Sequence, residues 1–205
     1  MPPDKEKQGE VVAGIRFPRE PEINIQNVVS SADIRQKLNL KEIAQKIKES
    51  RYEPNKFPGL VLKLKEPKAA LLVFSSGKFV CTGTKSVEES ALAVNKAIDL
   101  MKQHGIKISN RPLVRAENIV ASAKLFLKVD IERLAMEQPN TLYEPEQFPG
   151  LIYRMDDPPV VFLVFASGSL VCTGAKKEAD VRRAVYKLRR VLAEGGYFIT
   201  EEGVG

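Results

Sequence analysis

Tyr52-Glu53-Pro54-Asn55-Lys56-Phe57-Pro58-Gly59-Leu60 recurs 91 residues later as Tyr143-Glu144-Pro145-Glu146-Gln147-Phe148-Pro149-Gly150-Leu151. The interval holds on both sides of it. Leu72-Val73-Phe74-Ser75-Ser76-Gly77 returns as Leu163-Val164-Phe165-Ala166-Ser167-Gly168, Val80-Cys81-Thr82-Gly83 as Val171-Cys172-Thr173-Gly174, and Asn27 as Asn118. Residues 27–105 align on 118–196 without a gap, with 28 of 79 positions identical. This is a duplication. Two repeats of such length predict two similar units rather than a solenoid, which needs shorter and more numerous repeats. The expected product is a pseudo-twofold molecule in which each half presents the same surface.

Within a copy, the β-branched stretch Ile23 to Ile34 predicts a strand. Leu40 to Ser50, with apolar residues at 40, 43, 44 and 47, has helical spacing. Short apolar runs at 60–64, 69–74 and 78–82, separated by Glu66-Pro67 and Ser75-Ser76-Gly77, predict meandering strands. Ser86, with Glu89 three residues on, opens a longer helix to about Gln103, and Gly105 is a stop signal. Lys177 to Glu194 is its counterpart. Arg182, Arg183, Lys187, Arg189 and Arg190 crowd that helix and read first as a solvated basic face.

Alternation along the strands puts apolar residues on both faces of the predicted sheet. Leu71, Val73, Phe79, Cys81 and Val28 share one face and can bury against the helices. The other carries Val29, Leu72, Phe74 and Val80 with Asn27 and Thr82, and the second copy repeats it with Val120, Leu163, Phe165 and Val171 beside Asn118 and Thr173. Two helices per copy cover one face only. An uncovered apolar face with two neutral hydrogen-bonding side chains, placed identically in both copies, predicts a binding surface.

The chain has 205 residues, 43% of them hydrophobic, and a net charge of +6. The apolar content excludes a disordered or collagenous chain. No apolar run reaches the roughly 18–20 residues that span a bilayer, and the polar start from Met1 to Glu10 does not read as a signal peptide. Two cysteines make no disulfide framework, and both fall on the buried face. A single histidine, His104 at a helix end, leaves no metal cluster, and no paired carboxylates mark a catalytic cleft, so neither enzyme, metal nor cofactor is expected. Gly77 to Ser86 echoes a phosphate-binding loop, but with the wrong spacing and on a strand. The positive surplus is lopsided: +8 over residues 27–113 against +1 over 114–199. It points to an anionic partner.

The ordered set Asn-(Val/Ile)-Val, Tyr-Glu-Pro-x-x-Phe-Pro-Gly-Leu, (Val/Phe)-x-Ser-Gly and Val-x-Thr-Gly-x-Lys, present in both copies, resembles the core of the TATA-box-binding protein family over residues about 23 to 198. The short N-terminal extension and the form of the second turn resemble archaeal members. The resemblance implies an α+β fold: two pseudo-twofold repeats forming a saddle, with one curved ten-stranded antiparallel sheet and four helices on the convex side. It divides the chain into an N-terminal extension (1–22), a first repeat (23–113), a second repeat (114–199) and a C-terminal tail (200–205). It further implies a general transcription factor that binds double-stranded, A·T-rich, TATA-like promoter DNA in the minor groove. Transcription factor B is then the direct partner and RNA polymerase an indirect one. The setting would be cytoplasmic, nucleoid-associated in an archaeon or nuclear in a eukaryote, away from membranes. A homodimer in the absence of DNA is compatible with this.

The residues supply matching chemistry. The minor groove offers chiefly the acceptors adenine N3 and thymine O2. Asn27, Asn118, Thr82 and Thr173 can donate to them, while a guanine amino group would clash with Val29, Val80, Val120 and Val171. Phe57 with Phe74, and Phe148 with Phe165, resemble the family's wedges, which must be rigid and projecting to replace a lost base stack. By resemblance Lys63, Lys85, Arg154 and Lys176 contact phosphates, with Ser76, Lys78 and Ser167. Lys78 has Ser169 as its counterpart and Gln26 has Glu117, so the phosphate set is weaker in the second half. The acidic second turn, Glu144 and Glu146, opposite Lys56 in the first, would dock factor B and set direction. Two other readings of the same surface stay open: a non-promoter architectural DNA-bending protein, and a scaffold whose apolar sheet holds a peptide.

Overall fold

The computed structural model describes residues 10–200. The elements before and through the first repeat are β1 (Val11–Val12), β2 (Ile15–Arg16), β3 (Glu22–Asp33), α1 (Leu40–Lys46), β4 (Ser50–Arg51), β5 (Leu60–Leu64), β6 (Ala69–Val73), β7 (Lys78–Thr84) and α2 (Val87–Gln103). The second repeat follows with β8 (Arg115–Lys124), β9 (Lys128–Val129), α3 (Ile131–Glu137), β10 (Thr141–Leu142), β11 (Leu151–Met155), β12 (Val160–Val164), β13 (Ser169–Ala175), α4 (Glu178–Glu194) and β14 (Phe198–Ile199). Among the described residues, 25–119 form one compact unit, and 10–24 with 120–200 the other. The expected fold class is what the structure has: among the described residues, an α+β duplication with four helices and a ten-stranded antiparallel sheet, five strands from each repeat.

In the 25–119 unit the strands run β3-β7-β6-β5-β4. Leu60↔Val73 and Leu71↔Cys81 are cross-strand partners, and their side chains are buried on the face that α2 covers. Ile43 of α1 and Ala93, Val94, Ala97, Ile98 and Met101 of α2 complete that core. The other phase, Val29, Val61, Leu72, Val80 and Thr82, stays half-exposed. In the second repeat β10-β11-β12-β13 repeat the order and the alternation. Leu151, Phe162 and Cys172 are fully buried, with Val185 and Leu188 of α4 in the same core.

The helix starts follow local chemistry. Asn39 caps α1 by accepting from the Glu42 N–H at 3.2 Å, and Asp130 caps α3 through the Arg133 N–H at 3.0 Å. Ser86 accepts from the Glu89 N–H at 3.0 Å, while the Glu89 carboxylate reaches back to the Lys85 N–H at 2.6 Å. At the start of α4 Lys177 replaces that serine and supplies no cap; Glu178 and Asp180 in the first turn complement the helix dipole instead. The first helix is shorter than its spacing predicts. It ends at Ile47, and Ser50–Arg51 becomes the edge strand β4. The basic-face reading of α4 fails at one residue. Arg189 is only 2% exposed, because residues 10–20 lie over it.

Candidate nucleic-acid interface

The half-exposed face of the first repeat is built row by row. Val61, Leu72 and Val80 are cross-strand partners across β5, β6 and β7, and Lys63, Ala70 and Thr82 form the next row. The second repeat reproduces both: Ile152, Leu163 and Val171, then Arg154, Val161 and Thr173. The four aliphatic residues Val61, Ala70, Ile152 and Val161 therefore belong to the surface although the sequence motifs do not single them out. The alternation of their strands is the signal that finds them.

Asn27 is not simply a donor presented to solvent. The register of β3 against β7 shifts between Val28 and Ser30, a bulge whose extra residue lies on β7. Gly83 occupies the bulge with φ of +98°, a conformation that glycine adopts without strain. Its N–H leaves the ladder and donates to Asn27 Oδ1 at 2.7 Å, while Asn27 Nδ2 donates to Thr82 Oγ1 at 3.1 Å. With Oδ1 fixed as acceptor, the amide presents its NH2 side, and one of its two N–H groups exceeds what Thr82 takes. The bulge thus chooses the face that the asparagine offers. Gly174 has the same backbone, φ +102°, and in β8 Asn118 and Val120 share one phase of the strand, both half-exposed.

The phenylalanine pairs are equally local in origin. In the first Pro-Gly turn the Lys56 and Phe57 N–H groups both donate to Glu53 O, at 2.9 and 3.0 Å. Gln147 and Phe148 do the same to Glu144 O. Phe74 opens the tight β6–β7 turn, its N–H donating to Lys78 O at 2.9 Å; Phe165 repeats this with Ser169 O at 3.0 Å. The rings meet edge-on, with centroids 5.9 Å apart in both pairs. Gly59 forms the floor. A β-carbon there would stand 2.6 Å from the Phe57 ring and 3.1 Å from Phe74, and Gly150 stands alike beneath Phe148 and Phe165. The ring pair occupies the volume that the missing side chain leaves. Phe57 and Phe148 remain 37% and 43% exposed, unusual for a large aromatic ring with a core beside it.

The polar rim is less symmetric. Lys63, Ser76, Lys78 and Lys85 are exposed around the first face, and Arg154, Ser167 and Lys176 around the second. Ser169, where the first repeat has Lys78, accepts a hydrogen bond from the Ser167 hydroxyl at 3.1 Å. Glu117 accepts from the Ser31 hydroxyl at 2.5 Å. At the first turn, Lys56 at 2.8 Å and Arg51 both bond Glu53 and hold its carboxyl below the usual carboxylate range. In the second turn the residues equivalent to Arg51 and Lys56 are Leu142 and Gln147, beside Glu144 and Glu146. Cys81 and Cys172 are buried in the two cores, and burial pushes the Cys172 thiol up to about 12. Among the described residues no group of acids, histidines and cysteines could hold a metal ion, and no helix is long and apolar enough to cross a membrane.

A duplicated sheet face that is apolar, neutral and rimmed by cations has the chemistry of a nucleic-acid-binding surface. The comparisons supply the family. Residues 22–104 and 114–195 match the family described as transcription factor TFIID (or TATA-binding protein, TBP). A TATA-box-binding protein of Pyrobaculum neutrophilum is 45% identical over 183 residues, 89% of this chain and 93% of the relative. One of Archaeoglobus fulgidus is 49% identical over 172 residues, 83% of this chain and 94% of the relative. The solved structure of Methanococcus jannaschii TBP superposes with a TM-score of 0.79 at 45% identity, covering 85% of this chain and 99% of that one. The chain belongs to the TATA-box-binding protein family, a family of DNA-binding general transcription factors.

Proposed function

We propose that the chain binds A·T-rich, TATA-like duplex DNA through the minor groove, using the half-exposed sheet face of each repeat. The carrying observation is the aliphatic row and the exposed phenylalanine pair on a glycine floor, both built twice, with the bulge-oriented Asn27 amide beside the first row. Aliphatic side chains suit the sugar edges of the groove, and amide and hydroxyl donors suit its acceptors. A guanine amino group would meet Val29, Val80, Val120 and Val171, so G·C pairs are rejected by contact. Phe57 with Phe74 and Phe148 with Phe165 act as wedges that enter base steps and kink the duplex. Pyrimidine–purine steps open most easily, which adds specificity through deformability. Lys63, Ser76, Lys78 and Lys85, and Arg154, Ser167 and Lys176, contact phosphates and fix register.

Glu144 and Glu146 form the contact for transcription factor B, which in turn brings RNA polymerase and sets the direction of transcription. Their support is the difference between the turns: Arg51 and Lys56 neutralise Glu53, while neither cation has a counterpart beside Glu144. Selection from random duplexes, with and without factor B, tests the reading. Enrichment of TATA-like sites is the expected result. Sequence-indifferent bending would favour an architectural role, and failure to bind any duplex would end the proposal.

A further inference from the structure

Residues 10–20 lie outside the alignment of the two copies. Their two strands, Val11–Val12 and Ile15–Arg16, pair only with each other among the described residues. What holds the segment is a set of side chains. Phe17, 1% exposed, sets its ring edge-on to Phe198 with centroids 5.1 Å apart. Arg19 lies over the Phe126 ring at 4.7 Å. The Glu10 carboxylate pairs with Arg189, and Glu20 pairs with it at 3.4 Å while accepting the Tyr186 hydroxyl at 3.0 Å.

Arg189 is the unusual member. It is 2% exposed, between the Phe17 and Tyr186 rings at 4.8 and 4.9 Å. The equivalent residue of α2 is Ile98, fully buried and in need of no counter-charge. A buried guanidinium must be paired, because desolvating an uncompensated charge is costly. Among the described residues both of its carboxylates come from 10–20 and none from its own repeat. This side of α4 is therefore built around an acidic and aromatic chain lying across it.

We propose that the α4 face around Arg189 and Tyr186 is a binding site for an acidic, aromatic peptide segment, and that residues 10–20 are its resident occupant, exchangeable for a segment of the same chemistry on a partner protein. Departure of the hairpin breaks no ladder with another described strand. Its two acidic anchors stand at the rim, 56% and 44% exposed, where a competing carboxylate reaches Arg189 from solvent. None of these residues lies on the proposed DNA-reading face, so occupancy can change while DNA is bound.

The test uses the full chain carrying E10Q, F17A and E20Q, which loosens the resident segment, and a fluorescent peptide of residues 10–20. Binding is read by anisotropy. The loosened chain is expected to bind the peptide at least tenfold more tightly than the unaltered chain. Adding Arg189→Ile, the residue type that α2 carries there, is expected to remove that binding. No binding by a loosened chain whose circular dichroism is native would overturn the proposal, as would equal binding with Arg189→Ile present. If the triple variant is unfolded, the E10Q/E20Q chain, which keeps Phe17, takes its place: tighter binding that Arg189→Ile removes supports the proposal, and its absence overturns it.

Discussion

At the first Pro-Gly turn Glu53 sits between Arg51 and Lys56; at the second, Glu144 has Leu142 and Gln147 in their places and Glu146 nearby. A few residues away, each turn closes over the same arrangement: a glycine floor and two rings with centroids 5.9 Å apart. The copies have thus kept what geometry constrains and changed what solvent tolerates. A side chain at Gly59 or Gly150 would collide with a ring, and any other amino acid at Gly83 or Gly174 would be strained at their positive φ. A rim residue such as Arg51 meets mostly water, so replacing it costs the fold little. In the proposed function the constrained parts read DNA alike in both halves, and the drifted parts distinguish one half from the other.

The largest effect should come from removing the shared device. Phe57→Ala with Phe148→Ala is expected to abolish most of the bend in a TATA duplex, and either change alone about half of it if each pair makes one kink. Fluorescence resonance energy transfer across the site measures this, and an unaltered angle would remove the wedges. Next, the glycine floors should respond alike. Gly59→Ala and Gly150→Ala should each displace a ring and weaken duplex binding by about tenfold, roughly 1.4 kcal/mol. A gel-shift titration that found only one of them sensitive would break the equivalence of the halves.

The comparison of the turns sharpens with a charge exchange. Glu144→Lys with Glu146→Lys should weaken factor B recruitment severalfold while duplex affinity holds, and Lys56→Glu should leave recruitment unchanged. A supershift assay separates the two. The smallest effect concerns the cysteines. Burial raises both thiols, Cys172 to about 12. The native protein therefore keeps that proton where an unfolded chain releases it. The stability contribution is intact below about pH 9 and declines as the pH rises towards 12. At pH 8 neither cysteine should react with iodoacetamide within the time that an unfolded control is fully labelled, as mass spectrometry would show.

Much of this was legible beforehand for a physical reason. Strand alternation separated Val28, Leu71 and Cys81 from Val29, Leu72 and Val80, because period-two patterning is a local property. Duplication then doubled each local signal, so Phe57 and Phe148 stood out although a phenylalanine beside Pro-Gly is ordinarily a core residue. The edge strand Ser50–Arg51 was not legible: two polar residues carry no periodicity, and only pairing with β5 makes them a strand. Arg189 reads in sequence as part of a solvated stripe, because the residues that cover it are 169 and 179 positions away.

By itself, then, the amino-acid sequence determined the duplication, the order of the longer strands and helices and the two-faced sheet, since each follows from periodicities within a few residues. The tertiary structure decided which way the Asn27 amide faces, where the exposed rings rest and why α4 contains a buried cation. Those outcomes depend on a bulge opposite a strand 56 positions away, on the volume above a glycine and on a segment at the other end of the chain. Local patterning carries no information about such distant partners; the fold brings them together.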